Sequence, residues 1–331
     1  MARHMKIAAA QLGPLQLSDT REAAAKRLVA LFREAIGMGA KFVVFPELAL
    51  STFFPRYWMA DQAEVDRKFF EPAMPNATVQ PLFDLAQAHG VGFYLGYGEL
   101  AEEADSPAAD AAAPLARGAV RTRRFNTAIL VGPDGRIAGK YRKIHLPGHA
   151  EHKPQAAFQH LEKKYFEVGD LGFRTWRMQG AIMGMLICND RRWPEAFRAL
   201  TLQGAELITL GFNTPTENLH YPEPPALRVH HHLVMAQAMA FMNATWLVET
   251  AKCGFEDGFR MFGHSVIVAP SGEIVAKSVT EDDELITFAA DLDLAQDLKR
   301  TMFNYAAHRR PEHYRILIDR VGAEVSPQNP E

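Results

Sequence analysis

Short apolar runs alternate along the chain with segments whose apolar residues recur at helical spacing. Such runs are too hydrophobic to face water and are typical of strands that are covered on both faces. The strands predicted in this way are Lys6–Leu12, Phe42–Phe45, Val91–Gly96, Glu206–Leu210 and Thr245–Thr250. The predicted helices are one that Asp19 or Thr20 caps and that ends near Met38, Pro81–His89, and Leu227–Met242. The alternation predicts an α/β fold.

Three further pairs of apolar segments have the spacing and turn residues of antiparallel neighbours. The turn sequences GPDG and PSG join two of these pairs. The pairs are Phe125–Val131 with Arg136–Tyr141, Ser265–Ala269 with Glu273–Ala276, and Phe173–Met178 with Ala181–Cys188. The predicted sheets are therefore mixed. The sequence contains neither G-x-G-x-x-G nor G-x-x-x-x-G-K, which argues against a nucleotide enzyme.

The most informative segment is Ala181–Trp193, where a long apolar run ends abruptly in polar residues. Cys188 is the last apolar residue, and Pro194 then suits the first turn of a helix. Open α/β sheets expose reactive groups at such strand ends. A helix N-terminus and two following arginines are expected to favour the Cys188 thiolate. Alternatively, Cys188 is only a small buried hydrophobe.

Composition restricts the class of protein and its partners. The chain has 331 residues, a net charge of −3 and two cysteines, Cys188 and Cys253. This charge predicts no general binding to nucleic acid or anionic membranes, and no apolar run approaches the length of a membrane helix. The two cysteines form no disulfide framework, and no secretory signal is recognisable, so we expect a cytoplasmic protein. The length allows two domains or one large one.

Three chemically distinct side chains follow buried strands or lie in the polar breaks after them: Glu47, Lys143 and Cys188. Thiol-based acyl transfer needs these three groups. The thiolate attacks a carbonyl or nitrile carbon, a carboxylate takes the thiol proton and later activates water, and a fixed cation stabilises the oxyanion. We therefore predict that these residues form one active site.

The motifs around these residues, PEL, KYRKIHLP and ICNDRRWPE, resemble those of the nitrilase superfamily of carbon–nitrogen hydrolases. The resemblance extends from Lys6 to Leu317. It implies a four-layer αββα sandwich with two mixed sheets, formed by residues 1–331 as a single domain. It also implies a Glu-Lys-Cys triad that acts on a small-molecule substrate without metal or cofactor, in a homodimer or homotetramer.

Four longer segments are similar to one group of this superfamily, the N-carbamoyl-D-amino acid hydrolases. They are HLPGH at 145–149, FQHLEKKYFEVGDLGF at 158–173, CNDRRWPEAFR at 188–198 and GFNTPTEN at 211–218. The resemblance implies that Glu162 is a second glutamate supporting the nucleophile and the substrate. It also implies that His145, His160 and His231 shape the substrate site. Without the resemblance, Glu162 would be interpreted as a charge on a surface helix.

Arg191 and Arg192 follow the predicted nucleophile directly. A planar guanidinium can bind a carboxylate through two parallel hydrogen bonds, and an N-carbamoyl amino acid carries a carboxylate close to its ureido carbon. The alternative is that one or both arginines form structural salt bridges. Asn213 and Thr214 follow a predicted strand and could bind the substrate, although both residue types are also common in loops.

The histidine run 230–232 does not indicate a metal site. Consecutive residues on a helix point about 100° apart, so these side chains cannot converge on one ion, and the sequence contains no H-E-x-x-H. His145 follows Lys143 by two residues and shares its face in an extended segment. This placement favours support of the triad over metal binding.

Several segments have no predicted catalytic role. Residues 101–117 are rich in alanine and acids and are predicted to be a surface insertion. The helix 227–242 is apolar or small on nearly all sides, which predicts burial in the core or in a subunit interface. The tail near 300–331 is expected to be extended after a helix and to pack at an interface. Cys253 is interpreted as structural, and the loop 217–232 is expected to border the pocket for the substrate side chain.

The leading hypothesis is the hydrolysis of N-carbamoyl-D-amino acids through a thioester on Cys188. A β-ureidopropionase-like or aliphatic amidase activity is the alternative within the superfamily, and relative rates on the corresponding substrates distinguish them. A third hypothesis is a catalytically silent assembly protein, whose mark would be a missing triad residue. All three residues are present. The D preference comes from the resemblance alone.

Overall fold

The computed structural model describes residues 3–104, 120–156, 158–217 and 223–323. In chain order its strands are β1 His4–Gln11, β2 Phe42–Val44, β3 Phe70–Glu71, β4 Gly92–Ala104, β5 Val120–Val131, β6 Ile137–Arg142, β7 Thr175–Met178, β8 Ala181–Ile187, β9 Leu207–Phe212, β10 Trp246–Ala251, β11 Cys253–Glu256, β12 Phe259–Phe262, β13 Val266–Val268, β14 Ile274–Lys277 and β15 Glu284–Asp291. Its α-helices are α1 Arg21–Gly37, α2 Gln62–Phe69, α3 Gln80–His89, α4 Glu162–Tyr165, α5 Pro194–Leu202, α6 Pro225–Asn243, α7 Leu292–Arg300, α8 Tyr305–His308 and α9 Ile316–Asp319.

The helix ends follow from local chemistry. Thr20 caps α1, since its side-chain oxygen accepts a hydrogen bond from the backbone N–H of Ala23. Pro194 starts α5, where its missing N–H costs no hydrogen bond. Gly90 ends α3 in the left-handed conformation, with φ of 64°, which glycine adopts without strain. These boundaries agree with the predicted helices to within a few residues.

Within the described residues the strands form two large mixed sheets and one small hairpin. The first sheet has the order β15-β1-β2-β4-β5-β6, with β3 beside β4. The second has the order β14-β13-β10-β9-β8-β7, and β11 pairs with β12. In both large sheets the central neighbours are parallel and the outer ones antiparallel. The antiparallel pairs predicted from GPDG and PSG are β5 with β6 and β13 with β14.

Alternating residues of the strands serve two different cores. In β1, Ile7 and Ala9 lie on one face because successive side chains of a strand alternate, and both pack in the core that joins the two sheets.

 Ala8 and Ala10 lie on the opposite face of β1 and pack under α1 and α3. On the far side of the second sheet, the same central core continues into α5 and α6. The layers are therefore helix, sheet, sheet and helix, which confirms the predicted four-layer αββα sandwich.

The two sheets approach closely beside Glu47, and glycines make this approach possible. A Cβ atom on Gly211 of β9 would lie 2.4 Å from the backbone nitrogen of Glu47. A Cβ atom on Gly96 of β4 would lie 2.8 Å from the Cα atom of Glu47. Both distances are shorter than a carbon atom tolerates, so only glycine lets these strands touch the Glu47 backbone. Glu47 is consequently held between the sheets.

Three segments differ from the predictions. Residues 101–104 continue β4 instead of starting a loop, because they pair with β5, and residues 105–117 of the predicted insertion lie outside the described residues. The tail after α7 forms the short helical turns α8, Pro311–His313 and α9 instead of an extended segment. Residues 324–331 of that tail also lie outside the described residues.

The helix α6 is less buried than its apolar pattern predicts. Ala236, Met239 and Ala240 pack in the core, but Val234 and Met242 are 47% and 40% exposed. One apolar face of α6 is therefore uncovered in the single chain. Across the described part of the chain, no helix combines the length and apolar character that crossing a membrane requires. The assignment of residues 1–331 to one domain stays a prediction.

Candidate active site

Glu47 lies just beyond the end of β2 and is completely buried. Its Oε1 atom accepts hydrogen bonds from Lys143 Nζ and from Asn126 Nδ2, both at 2.8 Å. Its Oε2 atom accepts the backbone N–H of Asn213 at 2.9 Å. The Asn213 side chain also donates to the backbone carbonyl of Glu47 at 2.9 Å. These contacts fix both the position and the orientation of the carboxylate.

Lys143 follows β6 directly and is also completely buried. Its Nζ atom donates to Glu47 Oε1 at 2.8 Å and to Glu162 Oε2 at 2.5 Å. Burial opposes the positive charge, but Glu162 and Glu47 outweigh it and raise the pKa of Lys143 above the ordinary lysine value. Burial likewise opposes the charge of Glu162, but Lys143 outweighs it, and the pKa of Glu162 is lowered. Lys143 is therefore a permanent cation between two carboxylates.

Cys188 is the first residue after β8 and has the left-handed φ of 44°, which is strained for a residue with a Cβ atom. Its side chain is buried, and Sγ donates to the backbone carbonyl of Asn213 at 3.5 Å. Burial and the negative charge of Glu47 outweigh Lys143 and Arg191 and raise the pKa of the Cys188 thiol to about 11. The expectation of a stabilised thiolate is therefore wrong for this resting structure, because desolvation dominates. The segment that follows is also a 3₁₀ turn, Cys188–Arg192, so α5 begins only later.

Asp190 fixes the turn that carries Cys188. Its Oδ2 atom accepts hydrogen bonds from the Tyr141 hydroxyl at 2.8 Å and the Ile187 N–H at 3.0 Å. Its Oδ1 atom lies 2.7 Å from His145 Nδ1, and the His145 ring stacks on Trp193 with centroids 4.9 Å apart. His145 thus supports the cysteine turn through Asp190 and lines a separate cavity of about 320 Å³. This contact lies at the turn that carries Cys188, and support of the triad by His145 stays a prediction.

Arg191 connects the cysteine turn with the loop after β9. Its Nη1 atom lies 3.8 Å from Cys188 Sγ, and Nη2 donates to the Thr214 hydroxyl at 2.8 Å. The guanidinium also lies over the Phe212 ring, 4.3 Å from its centroid. Arg192 is exposed by comparison and donates to Asn189 Oδ1 at 3.0 Å. Of the two arginines, Arg191 is the one held directly beside the sulfur atom.

A cavity of about 540 Å³ opens over this group of residues, and its size suits a small metabolite. Among the described residues its lining includes Pro147, Gly148, His149, Lys153, Phe158, His160, Asn189, Arg191, Arg192, Thr214, Pro215, Glu217, Glu223, Arg228, His231, His232, Met235 and Phe262. His160 Nε2 lies 3.5 Å from Glu162 Oε1, and His231 Nδ1 lies 3.5 Å from Glu223 Oε2. The cavity therefore meets the buried carboxylate group through His160 and the cysteine turn through Arg191.

The structure brings together Glu47, Lys143, Glu162 and Cys188 and places Arg191, Arg192, Thr214, His160 and His231 on the cavity wall. Asn213 lies below the wall, where its backbone and amide hold Glu47. His145 lies in the other cavity. The interpretation of Glu162 as a surface charge is wrong, since this residue is completely buried against Lys143.

Sequence reasoning missed Asn126, Asp190 and Arg228. Asn126 and Asp190 are both buried, and each holds one predicted residue in place. The available signal for Asn126 was a polar residue inside the apolar strand 125–131, and for Arg228 it was a single arginine in an apolar helix. As to metals, the regions that the structure describes contain no group of three or more His, Cys, Asp or Glu residues placed to hold an ion.

Comparisons with known proteins extend over almost the whole chain. The model of the carbon–nitrogen hydrolase family matches residues 6–300. The N-carbamoylputrescine amidase of Arabidopsis thaliana is 30% identical over 313 residues, which cover 91% of this chain and 90% of the relative. A carbon–nitrogen hydrolase of Helicobacter pylori G27 has a TM-score of 0.74 at 22% identity and covers 96% of this chain and 99% of its own.

A second solved structure is a mutant of the amidase from Nesterenkonia sp. AN1. Its TM-score is 0.64 at 19% identity, and the match covers 95% of this chain and 99% of the amidase. In that amidase, acrylamide has undergone Michael addition at the active-site cysteine. At these low identities, the two solved structures establish the fold that this chain shares with them.

The chain has two mixed sheets between layers of helices and shares them nearly end to end with these solved structures. It is therefore an α/β protein of the nitrilase-like fold. The family match and the relative from Arabidopsis then identify the group. The chain belongs to the carbon–nitrogen hydrolase family, the nitrilase superfamily, and is a hydrolase of non-peptide carbon–nitrogen bonds. The resemblance seen in the three sequence motifs is confirmed at this level.

Proposed function

We propose that this protein hydrolyses N-carbamoyl-D-amino acids to the amino acid, carbon dioxide and ammonia. The observation that carries the proposal is the cluster of Glu47, Lys143 and Cys188 beneath a cavity whose wall holds Arg191, 3.8 Å from the sulfur atom. A guanidinium at this distance from the sulfur atom would bind the carboxylate of an N-carbamoyl amino acid, which supports this class of substrate. The active-site cysteine of the Nesterenkonia amidase supports the role of Cys188.

The reaction begins from the neutral thiol. Glu47 takes the thiol proton as Sγ attacks the ureido carbon, and Lys143 stabilises the oxyanion of the tetrahedral intermediate. Glu47 then gives the proton to the departing amino group, so that ammonia leaves and a thioester remains on Cys188. Glu47 next takes a proton from water, whose oxygen attacks the thioester and displaces the sulfur. The released carbamate loses carbon dioxide, and Cys188 regains its proton.

The other predicted residues position these groups. Glu162 holds Lys143 from the side opposite Glu47 and links it to His160 at the cavity. Asn213 orients the Glu47 carboxylate. Arg191 and Arg192 orient the substrate carboxylate, and Thr214 holds the Arg191 guanidinium through its hydroxyl.

The charge of the cavity wall favours an anionic substrate over N-carbamoylputrescine, the compound in the name of the amidase from Arabidopsis. N-carbamoylputrescine is a cation at neutral pH because its free amine is protonated. The wall here carries Lys153, Arg191, Arg192 and Arg228 against Glu217 and Glu223. A cationic substrate would be repelled by this arrangement, whereas the carboxylate of an N-carbamoyl amino acid is attracted. Similarity to the amidase from Arabidopsis therefore does not carry its substrate over to this chain.

The test is ammonia release from matched N-carbamoyl-D- and N-carbamoyl-L-amino acids, with phenylalanine and methionine as side chains. We expect turnover of the D forms, and loss of turnover in a folded Cys188→Ala variant. Turnover of N-carbamoyl-β-alanine or simple amides in their place would support the alternative activity, β-ureidopropionase-like or aliphatic amidase. Full turnover by folded Cys188→Ala would refute the thioester mechanism.

We also propose that the protein is a homodimer or homotetramer that associates through α5, α6 and the tail. Apolar residues there are exposed together: Leu202 is 45% exposed, Met242 40% and Leu317 61%. They line one groove of about 820 Å³ whose surface is mostly apolar, which favours a second copy as occupant. Light scattering should show an oligomer that Leu202→Glu with Met242→Glu converts to a folded monomer. A monomeric wild-type protein would refute the proposal.

A further inference from the structure

Arg228 of α6 is a charged residue on the cavity wall that the proposed mechanism does not use. Its side chain is only 8% exposed, and Nε lies 3.2 Å from Glu223 Oε1. Its Nη1 atom is buried and has no hydrogen-bond partner among the residues that the structure describes. A buried guanidinium nitrogen without a partner is costly, so this atom is expected to bind something that enters the cavity.

Arg228 lines the same cavity as Arg191, the residue beside the sulfur atom. The pKa of Arg228 is lowered, chiefly by burial and further by the positive charge of Arg191, while Glu223 and Cys188 oppose this change. Arg191, Arg228 and Cys188 therefore lie within electrostatic range of one another. Two guanidinium groups that repel each other across one cavity are stabilised by an anion that contacts both or by one anion for each.

Glu223, the acid paired with Arg228 in the described part of the chain, leaves part of the guanidinium available. Glu223 contacts the Nε edge and also lies 3.5 Å from His231 Nδ1, so its charge is shared. A guanidinium has five N–H donors in a planar fork, and a second carboxylate can bind through the edge that Glu223 does not occupy. The contact with Glu223 thus orients Arg228 without satisfying it.

The net charge of the cavity wall also favours a ligand with a second carboxylate. Among the lining residues within the described ranges, Lys153, Arg191, Arg192 and Arg228 are cationic, and Glu217 and Glu223 are acidic. With neutral histidines the wall has an excess of two positive charges. One substrate carboxylate balances half of this excess, and a second carboxylate balances the rest.

We propose that Arg228 is a specificity-determining residue that binds a second carboxylate, so that the preferred substrates are N-carbamoyl derivatives of acidic amino acids. The inference rests on the proposed function for the reacting end of the substrate. Arg191 then binds the carboxylate next to the ureido group, and Arg228 binds the carboxylate of the side chain. The class of substrate is a dianion with its two carboxylates separated by a short carbon chain.

The test compares two substrates of nearly equal size, N-carbamoyl-D-glutamate and N-carbamoyl-D-glutamine, which differ in the charge of the side chain. We expect kcat/KM of the wild-type enzyme to favour the glutamate derivative by about ten- to hundred-fold, the range of a buried charged hydrogen bond. Arg228→Gln should lower kcat/KM for the glutamate derivative and bring the ratio close to one. Arg228→Lys should retain part of the preference, and Arg300→Gln, an exposed residue on α7, should change nothing.

The outcomes separate this inference from the proposed function. Turnover of both substrates without preference, or a ratio that Arg228→Gln leaves unchanged, would overturn the role of Arg228 while the proposed function stands. No turnover of any N-carbamoyl amino acid would refute the proposed function. Protection of Cys188 from iodoacetamide by glutarate then decides the role of Arg228. Protection in the wild type that Arg228→Gln abolishes supports it, and equal protection in both proteins overturns it.

Discussion

Two buried charge clusters lie side by side in this protein, and their balance of charge is opposite. The support cluster consists of Arg56, Lys252 and Glu256, in which two cations share one carboxylate. The reaction cluster consists of Glu47, Glu162, Lys143 and the thiol of Cys188, in which two carboxylates share one cation. The difference is visible in the lysines, since each is completely buried. Burial outweighs Glu256 and lowers the pKa of Lys252, whereas two glutamates raise that of Lys143.

The support cluster serves the backbone. Glu256 accepts the backbone N–H of Phe53 at 2.7 Å and that of Leu15 at 3.2 Å, in addition to its contacts with Arg56 and Lys252. Lys252 donates to the backbone carbonyl of Ser51 at 2.6 Å. These bonds hold the loop that follows Glu47. Each charged group of this cluster forms ion pairs or hydrogen bonds with neighbouring groups, so the cluster is not suited to binding a ligand.

The reaction cluster and the adjoining wall retain unused polar atoms. Within the described ranges, Arg191 Nε and Arg228 Nη1 are buried without hydrogen-bond partners, and Glu162 Oε1 and His160 Nε2 have only their 3.5 Å contact with each other. Burial raises the pKa of the Cys188 thiol, Glu47 raises it further, and Glu47 is also the proposed acceptor of the thiol proton. The excess carboxylate beside the neutral thiol is thus suited to proton transfer. The support cluster, whose charged groups are bonded to one another and to the backbone, is suited to stabilising the fold.

The largest expected effect distinguishes the two carboxylates within the reaction cluster. Glu47→Gln keeps the shape of the side chain but removes the proton acceptor, and we expect kcat for ammonia release to fall by about a thousand-fold. Glu162→Gln removes the same charge from Lys143 but leaves the acceptor, so a loss of about ten-fold is expected. Steady-state kinetics of both variants, with thermal unfolding to confirm folding, measures the difference. Equal losses would show that both residues act only by holding Lys143.

The second prediction concerns the support cluster. Glu256→Gln leaves Arg56 and Lys252 as buried cations without a carboxylate, which is expected to lower the free energy of unfolding by about 3 to 5 kcal/mol. Because Glu256 takes no part in the proposed proton transfers, kcat of the folded variant should change by less than about ten-fold. Urea denaturation and ammonia release measure the two quantities. Asp297→Asn, in an exposed pair with Arg300, should leave stability unchanged. A stable but inactive Glu256→Gln protein would contradict the division between the clusters.

The sequence could predict the reaction cluster because its members follow apolar strands or bear the family motifs. Glu47 follows β2 of the first sheet and Cys188 follows β8 of the second, so the strands alone do not bring the two residues together. Their association was predicted from the chemistry that the three groups share and from the family motifs, and Glu162 was found through the motif around it. The strands predict an α/β fold with mixed sheets, and the four-layer arrangement came from the resemblance.

The support cluster could not be predicted in this way. Arg56 and Glu256 are 200 residues apart, and nothing local in either segment indicates a pair. The segment 217–232 was expected to border the pocket, but nothing local singled out Arg228 as the residue of that segment whose guanidinium lines the cavity. The neutral state of Cys188 was also missed, because burial is a property of the whole fold and here outweighs the nearby cations. The tail was predicted as extended although it forms short helical turns on the surface.

The smallest expected effect tests the neutral thiol through the pH dependence of stability. Burial and Glu47 raise the pKa of Cys188 from 9.0 to about 11, so the unfolded chain releases the thiol proton before the folded one does. Below pH 9 both states are protonated, and the thiol adds no pH dependence. As the pH rises from about 9 towards 11, ionisation favours the unfolded state, and stability is lost. The expected loss between about pH 8.5 and 10.5 is about 2 kcal/mol.

Urea denaturation of the wild type and Cys188→Ala across this pH range isolates the contribution of Cys188. Other titrating groups, including the buried thiol of Cys253, are present in both proteins and largely cancel in the difference. The wild type should therefore lose stability more steeply than the variant above pH 9. Parallel profiles would mean that the pKa of Cys188 is not raised in the folded protein. In that case Arg191 and Lys143 would offset burial and Glu47, and the excess carboxylate of the reaction cluster would no longer explain how the nucleophile is activated.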